Sequence, residues 1–293
     1  MKQPKSILVV VDRSGDVPTL MRKALMLARP FDARLELFLC DSEQAFVLGH
    51  TYDRAGVGAA RAASVAEARR YLNELRDLAA SASVDITIDA QCESPHYESV
   101  VRKVLRSAPD IVIKDILAGD ARRHGLSDPN DWQLMRTCPA TLMLSGRRIW
   151  RDSPRFAAAV DVSEGETVEL SPSVVEAATV LTRGFAAELH LVYSEAGSAS
   201  QAAAHREKLR ALCATAGIAA EHAHILSGRP ERTLPAFLSE QGYDALVLGA
   251  LAHRCAGTTP VGTLTSTLLD ALDCDFVLVK SSSYRSPVES ASP

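Results

Sequence analysis

The amino-acid sequence predicts an α/β protein made of two tandem doubly wound domains, each a five-stranded parallel sheet flanked by helices. Three observations lead there. Apolar runs of strand length alternate with amphipathic stretches of helix length along the chain. The run Ile7–Val11 is apolar without interruption and ends in Asp12, the habit of a strand buried on both faces. Midway, the pattern starts again in the same order. Strands that alternate with helices pair in parallel, because each crossover helix returns the chain to the same end of the sheet.

The elements follow in turn. After the first strand, Leu20, Ala24, Leu27 and Ala28 recur at helical spacing within 16–29. Arg34–Cys40 is a second strand. A loop of Gly and small residues, 49–58, leads into a helix over 59–82, favoured by its Ala, Arg, Glu and Leu content. Val84–Ala90 alternates apolar and polar side chains, as a half-exposed strand does. Ser94 and Pro95 open a helix, Ser as N-cap and Pro in the first turn, with Val100, Val101, Val104 and Leu105 on one face. Asp110–Lys114 is a short central strand, Trp132–Arg136 a short helix and Ala140–Leu144 a last strand.

The second copy repeats these landmarks. Phe156–Asp161 is the opening strand with its terminal Asp, and Ala187–Val192 matches Ala33–Phe38. Gly228–Glu231 opens a helix where Ser94 and Pro95 did. Tyr243–Gly249 matches Pro109–Asp115, and Asp273–Lys280 matches Thr137–Leu144, at offsets of 134 and 136 residues. The charged, Pro-ended segment 147–154 is the boundary, which gives domains at 1–149 and 150–283. The Ser/Pro-rich end, 284–293, reads as a disordered tail.

Composition narrows the function classes. With 293 residues and 47% hydrophobic content, the chain can bury two cores. A net charge of −4 with interspersed signs leaves no polybasic field for nucleic acid or an anionic membrane. The cluster Arg147, Arg148 and Arg151 reads as the solvated rim of the linker. No stretch reaches the roughly 18 apolar residues that span a bilayer. Lys2 and Lys5 run straight into a strand, without a signal-peptide core. Six cysteines stand singly at 40, 92, 138, 213, 255 and 274, so buried reduced thiols in a cytoplasmic protein are expected.

In an open parallel sheet, ligands bind beyond the carboxyl ends of the strands, where strand order reverses. In the second half Asp161, Ser194 and Gly249 end strands there. The loop after Gly249 runs to Gly262 and Thr263, where a helix over 264–272 begins. Glycine lets the backbone approach an anion, and a helix N-terminus offers free N–H groups and a positive dipole end. On residues alone, the loop serves either as a phosphate cradle or as a structural turn.

This loop resembles the G-x2-G-x9-G-[S/T] phosphate loop of the universal stress protein family. Gly249, Gly262 and Thr263 match at the right spacing, while Ala252 stands where the second glycine belongs. Asp161 sits where the family places an acidic residue near the adenine. The resemblance covers residues 5–280, and the tandem arrangement is similar to the E type. Asp110–Lys114, Asp131–Pro139 and Cys274–Lys280 carry that closer match. It implies an adenine nucleotide, ATP, held in the second half by Asp161, Val162, Gly249, Ala252, Gly262 and Thr263. No metal is required by the sequence, though Mg would accompany ATP. An alanine at a position held with φ > 0 is strained by about 1–2 kcal/mol, so weaker binding than with an intact motif is expected. The resemblance also implies pairing of last strands between domains, made internally here, and leaves a homodimer open.

The first half departs further. Asp115 stands at the place of Gly249, and Asp128–Trp132 at the place of Gly262 and Thr263. A carboxylate repels phosphate, so nucleotide binding is expected to be lost there. Asp131 reads as a helix N-cap. His96, His124 and His253 lie near strand-end loops without metal-site spacing. His222 and His224 would put two rings on one strand face, with no third ligand in sight. Trp132 reads as a core anchor. No general base faces a phosphate, so at most slow hydrolysis is expected. Three functions stay open: a nucleotide-binding stress-response sensor or interaction module, a slow ATP hydrolase, and a nucleotide-free scaffold that binds another ligand, polar or apolar, through the first half.

Overall fold

The computed structural model describes residues 3–51, 56–116, 129–163, 170–184, 187–195, 199–250 and 263–289. The chain forms two compact units, one on Pro4–Leu117 with Asp128–Ala140 and the other on Thr141–Tyr284. In the first unit the elements are β1 (Ser6–Val10), α1 (Val17–Ala28), β2 (Arg34–Cys40), α2 (Ser42–Gly49), α3 (Val57–Leu78), β3 (Ile86–Gln91), α4 (His96–Ser107), β4 (Ile111–Asp115) and α5 (Pro129–Thr137). Its strands lie in the order β3-β2-β1-β4, all parallel. Val9, Val10, Val112 and Ile113 are wholly buried, which is why these strands read as unbroken apolar runs. β3 lies at the edge and keeps only Ala90 buried, in line with its alternating sequence.

The second unit holds β5 (Thr141–Ser145), β6 (Arg155–Ala159), α6 (Leu170–Arg183), β7 (Glu188–Glu195), α7 (Ala199–Ala216), β8 (Ala223–Ser227), α8 (Pro230–Gln241), β9 (Ala245–Gly249), α9 (Thr263–Ala271) and β10 (Asp275–Val279). Its order is β5-β10-β9-β6-β7-β8. All neighbours are parallel except β5, which runs antiparallel to β10 with Met143 opposite Val277. The fifth strand of the first sequence copy thus packs within the second unit.

One device repeats in both copies. Asp110, just before β4, accepts the main-chain N–H of Ser6 at 3.0 Å, and its own N–H bonds the Ser6 carbonyl at 3.0 Å. Asp244, before β9, makes the same reciprocal pair with Arg155 at 2.9 and 2.8 Å. Each carboxylate registers the start of the central strand against its neighbour. A buried carboxylate, Asp275, opens β10. It accepts the Gly146 N–H at 2.8 Å and the Trp150 indole N–H at 2.7 Å. Trp150 in turn meets Phe156 edge-on at 5.3 Å.

Several local expectations need correction. Ser94 does not cap α4: Pro95 is the N-cap residue, reached through a cis peptide bond, and makes no side-chain cap bond. Arg148 and Arg151 are not a merely solvated rim. Arg151 pairs with Asp244 at 2.8 Å and donates to the Gly242 carbonyl at 2.6 Å, closing the end of α8. Part of the expected loop 49–58 is preceded by a helix, α2, capped by Asp41, whose carboxylate accepts the Gln44 N–H at 3.0 Å. Cys40, Cys92, Cys138, Cys213 and Cys274 are free and buried, as expected; Cys255 lies outside the described residues.

Replacing Asp275 with Ala strands two buried donors, each bond to a charged acceptor being worth about 1.5–3 kcal/mol. In a Trp132→Phe background, urea unfolding followed by Trp150 fluorescence is expected to show Asp275→Ala destabilised by about 3 kcal/mol or more. An unchanged midpoint would remove Asp275 from this role.

Candidate functional site

In the second unit, strand order reverses between β6 and β9, which run side by side with Ala159 opposite Leu248. Asp161 and Val162 leave β6, and Gly249 ends β9, so these three expected residues come together at the carboxyl ends of adjacent strands. Ala252 and Gly262 lie outside the described residues. Thr263 is placed as the first residue of α9, but its side chain is outside the description.

The Asp161 backbone is clamped to the start of α6. The buried Ser171 hydroxyl donates to the Asp161 carbonyl at 3.0 Å and accepts the Asp161 N–H at 2.9 Å. The Asp161 carboxylate accepts the Ser163 N–H at 2.9 Å, which folds the loop tightly and leaves the side chain half-buried. Val162 is buried, and Lys208 of α7 donates to its carbonyl at 3.3 Å. Burial first, then the Asp161 and Glu195 charges, push the Tyr193 hydroxyl up to about 12. Beside it the buried His205 meets Glu195 at 2.8 Å.

Gly249 has a packing reason to be glycine. A Cβ there would overlap the side chain of Leu170, the first residue of α6. Ser171, Lys208 and Leu170 escaped the sequence reading. A Ser before Pro172 at a helix start is the signal that could have found the first; no local signal marks the others.

The first unit reverses order between β1 and β4, and the same positions hold different chemistry. Asp12 keeps the tight loop of Asp161, accepting the Ser14 N–H and hydroxyl at 2.9 and 2.7 Å. Burial pushes its carboxyl up, but these two bonds, with the Lys114 and His96 charges, hold it below the usual range. Asp115 occupies the place of Gly249. Its carboxylate accepts the Asp16 N–H at 2.7 Å and lies against Gly15, where a Cβ would collide with it. Asp16 caps α1, so Asp115 meets that helix N-terminus as a bound anion would.

Asp131 is not the expected N-cap. It is the third residue of α5, wholly buried, with its carboxylate 2.7 Å from the ammonium of the buried Lys114. Lys114 also donates to the Asp115 carbonyl at 3.1 Å. Lys114, next to last in β4, thus ties α5 to the sheet. Trp132 is only partly buried on the same helix. Elsewhere in this unit, a cavity of about 340 Å³ opens at the amino ends of β1 and β2, lined by Ser6, Arg34, Thr87, Arg106 and Ser107. It lies at the opposite end of the strands from the order reversal.

Breaking a buried ion pair from one side leaves an uncompensated charge and costs about 3–5 kcal/mol, whereas replacing both partners can be neutral. Lys114→Met is therefore expected to destabilise the first unit by about 3 kcal/mol or more, and Lys114→Met with Asp131→Leu to recover most of it. A denaturant-based double-mutant cycle measures this, and additive losses would contradict the pairing.

No protein-family model matches the chain. Curated relatives match it end to end. Universal stress protein E of Photorhabdus laumondii is 25% identical, over 99% of this chain and 99% of that protein. Universal stress protein E of Escherichia coli K12 is also 25% identical, over 99% and 98%. Among solved structures, a functionally unknown protein from Pseudomonas aeruginosa PAO1 superposes with a TM-score of 0.75 at 20% identity, over 95% of this chain and 93% of that one. A universal stress protein from Archaeoglobus fulgidus gives 0.70 at 15% identity, over 97% of each chain. These structures agree with the fold.

Proposed function

We propose that this chain, a tandem member of the universal stress protein family, is a cytoplasmic stress-response protein that binds an adenine nucleotide in its second unit and acts as a sensor or interaction module. Full-length similarity to universal stress protein E supports the stress-response role. No helix among the described residues is long and apolar enough to cross a membrane.

The contrast between the two order reversals carries the nucleotide reading. In the second unit a half-buried carboxylate, Asp161, stands beside Gly249. It can accept hydrogen bonds from the amino or hydroxyl groups of a nucleoside. Main-chain N–H groups at the start of α9, next to Gly262 and Thr263, would receive phosphate oxygens. This arrangement supports the nucleotide reading. In the first unit Asp115 already satisfies a helix N-terminus with its own carboxylate, and a phosphate would meet that charge. That half does not fit. With Ala252 in the loop, affinity below that of an intact motif follows, and hydrolysis is at most slow.

Calorimetric titration of the full chain with ATP tests this reading. About one site per chain is expected, lost in Gly262→Val, weakened in Asp161→Ala and unchanged in Asp115→Asn. Absence of heat at millimolar ATP, or wild-type affinity in Gly262→Val, would refute it. Steady phosphate release that vanishes in Asp161→Ala would instead make the protein a hydrolase.

A further inference from the structure

Three histidines meet in the second unit beneath α8. His190 of β7 and His224 of β8 lie edge to edge with ring planes 7° apart, and His190 Nδ1 is 2.9 Å from His224 Nε2. The ring of His222, which ends a short 3-10 turn before β8 rather than lying on the strand, stacks on His190 at 4.2 Å. Phe237 of α8 covers His224 at 5.0 Å. The sequence offered His222 and His224 alone; the sheet supplies the third ring. Parallel ring planes keep the lone pairs of His190 and His222 from converging on one ion. Among the described residues, no His, Cys, Asp and Glu group is disposed to hold a metal.

Other charged and titratable groups surround the stack. Glu188 of β7 stands 3.5 Å from His190 Nε2, but is also held by Arg155 of β6 at 2.9 Å. The Arg155 guanidinium lies over the ring of the buried Tyr243, which meets His190 edge-on at 5.3 Å. Asp244, next to Tyr243, is taken by the Arg155 N–H and by Arg151. The same place in the first copy is ionic: Lys103 of α4 bridges Glu36 of β2 and Asp89 of β3 at 2.6 and 2.9 Å. Lys103 and Phe237 are each the eighth residue of their helix.

We infer that the three-histidine stack is an acid-release latch, which holds the edge strand β8 and the covering helix α8 on the sheet while its rings are neutral and frees them when protons enter. The ring-to-ring bond needs one N–H and one lone pair, so a second proton on the pair breaks it. Glu188, shared with Arg155, can offset one charge and not two. Burial first, then the His222 charge, push His190 down from 6.5 to about 4, and burial also lowers His224. The unfolded state therefore takes up protons that the folded state refuses. Stability is full above 6.5 and falls as pH drops towards 4.

The chain has two tryptophans, and Trp150 belongs to the second unit. A Trp132→Phe background of the full chain lets Trp150 fluorescence report thermal unfolding of that unit. Between about pH 7.5 and about pH 5 its Tm is expected to fall by roughly 5 °C or more. The fall should be at least halved in His190→Gln with His224→Gln. Equal Tm at both pH values, or an undiminished fall in the double variant, would overturn the latch. Proton NMR of the imidazole C2–H resonances in the unsubstituted chain gives a readout independent of that variant's folding. Two rings that stay neutral well below 6.5 until the second-unit signals collapse would support the latch. Titration of every ring near 6.5, with those signals intact, would overturn it.

Discussion

Asp275 is a carboxylate with no accessible surface, held at the first residue of β10 by the N–H groups of Gly146 and Trp150. Burying that charge is tolerable only because its donors are fixed, and fixing them determines much of the second unit. Gly146 follows β5, so the bond seats the end of that strand beside the start of β10 in an antiparallel pair. Trp150 is drawn inward from a charged segment and sealed against Phe156 of β6. Asp110 and Asp244 apply the same logic at the amino ends of β1 and β6. Carboxylates thus register the amino ends of the strands in each unit.

At those carboxyl ends the two copies use the same backbone differently. Both keep the tight Asp–x–Ser loop after the first strand, at Asp12 and at Asp161. In the first unit the adjacent strand end is committed: Lys114 and Asp131 neutralise each other in the core, and Asp115 closes on the cap of α1. The second unit places an apolar contact there, Leu170 over Gly249. The first unit uses its strand end for internal pairing, while in the second Asp161 stays half-buried beside Gly249.

Strand identity was legible because the central strands are buried on both faces, and Val9, Val112 or Val247 leave no polar trace in the sequence; the order of the strands and the antiparallel β5 were not. Alternation likewise revealed the edge strand β3. Helix α2 was hidden, since Phe46 and Val47 stand exposed and give no apolar stripe facing inward. Lys114 and Asp131 could not be paired from sequence: 17 positions apart, across a loop, they look like one strand residue and one helix cap. His190 was missed as the partner of His224 because cross-strand neighbours are a matter of sheet register, and β7 and β8 are joined by a long helix. The motif pointed to Asp161, Val162 and Gly249, which meet at adjacent strand ends, whereas nothing in it pointed to the clamp of Ser171 on Asp161.

The opposition of Leu170 to Gly249, and of Gly15 to Asp115, constrains how the two copies could have diverged. Some glycine and aspartate codons differ by one base, so a single mutation can exchange the two residues. It cannot do so cleanly. Any side chain at 249 runs into Leu170, and the Asp115 carboxylate sits where only a glycine at 15 leaves it room. A Gly-to-Asp exchange at this strand end is therefore coupled to the facing position, Leu170 in one unit and Gly15 in the other. Divergence at one of the two positions favours a matching change at its partner.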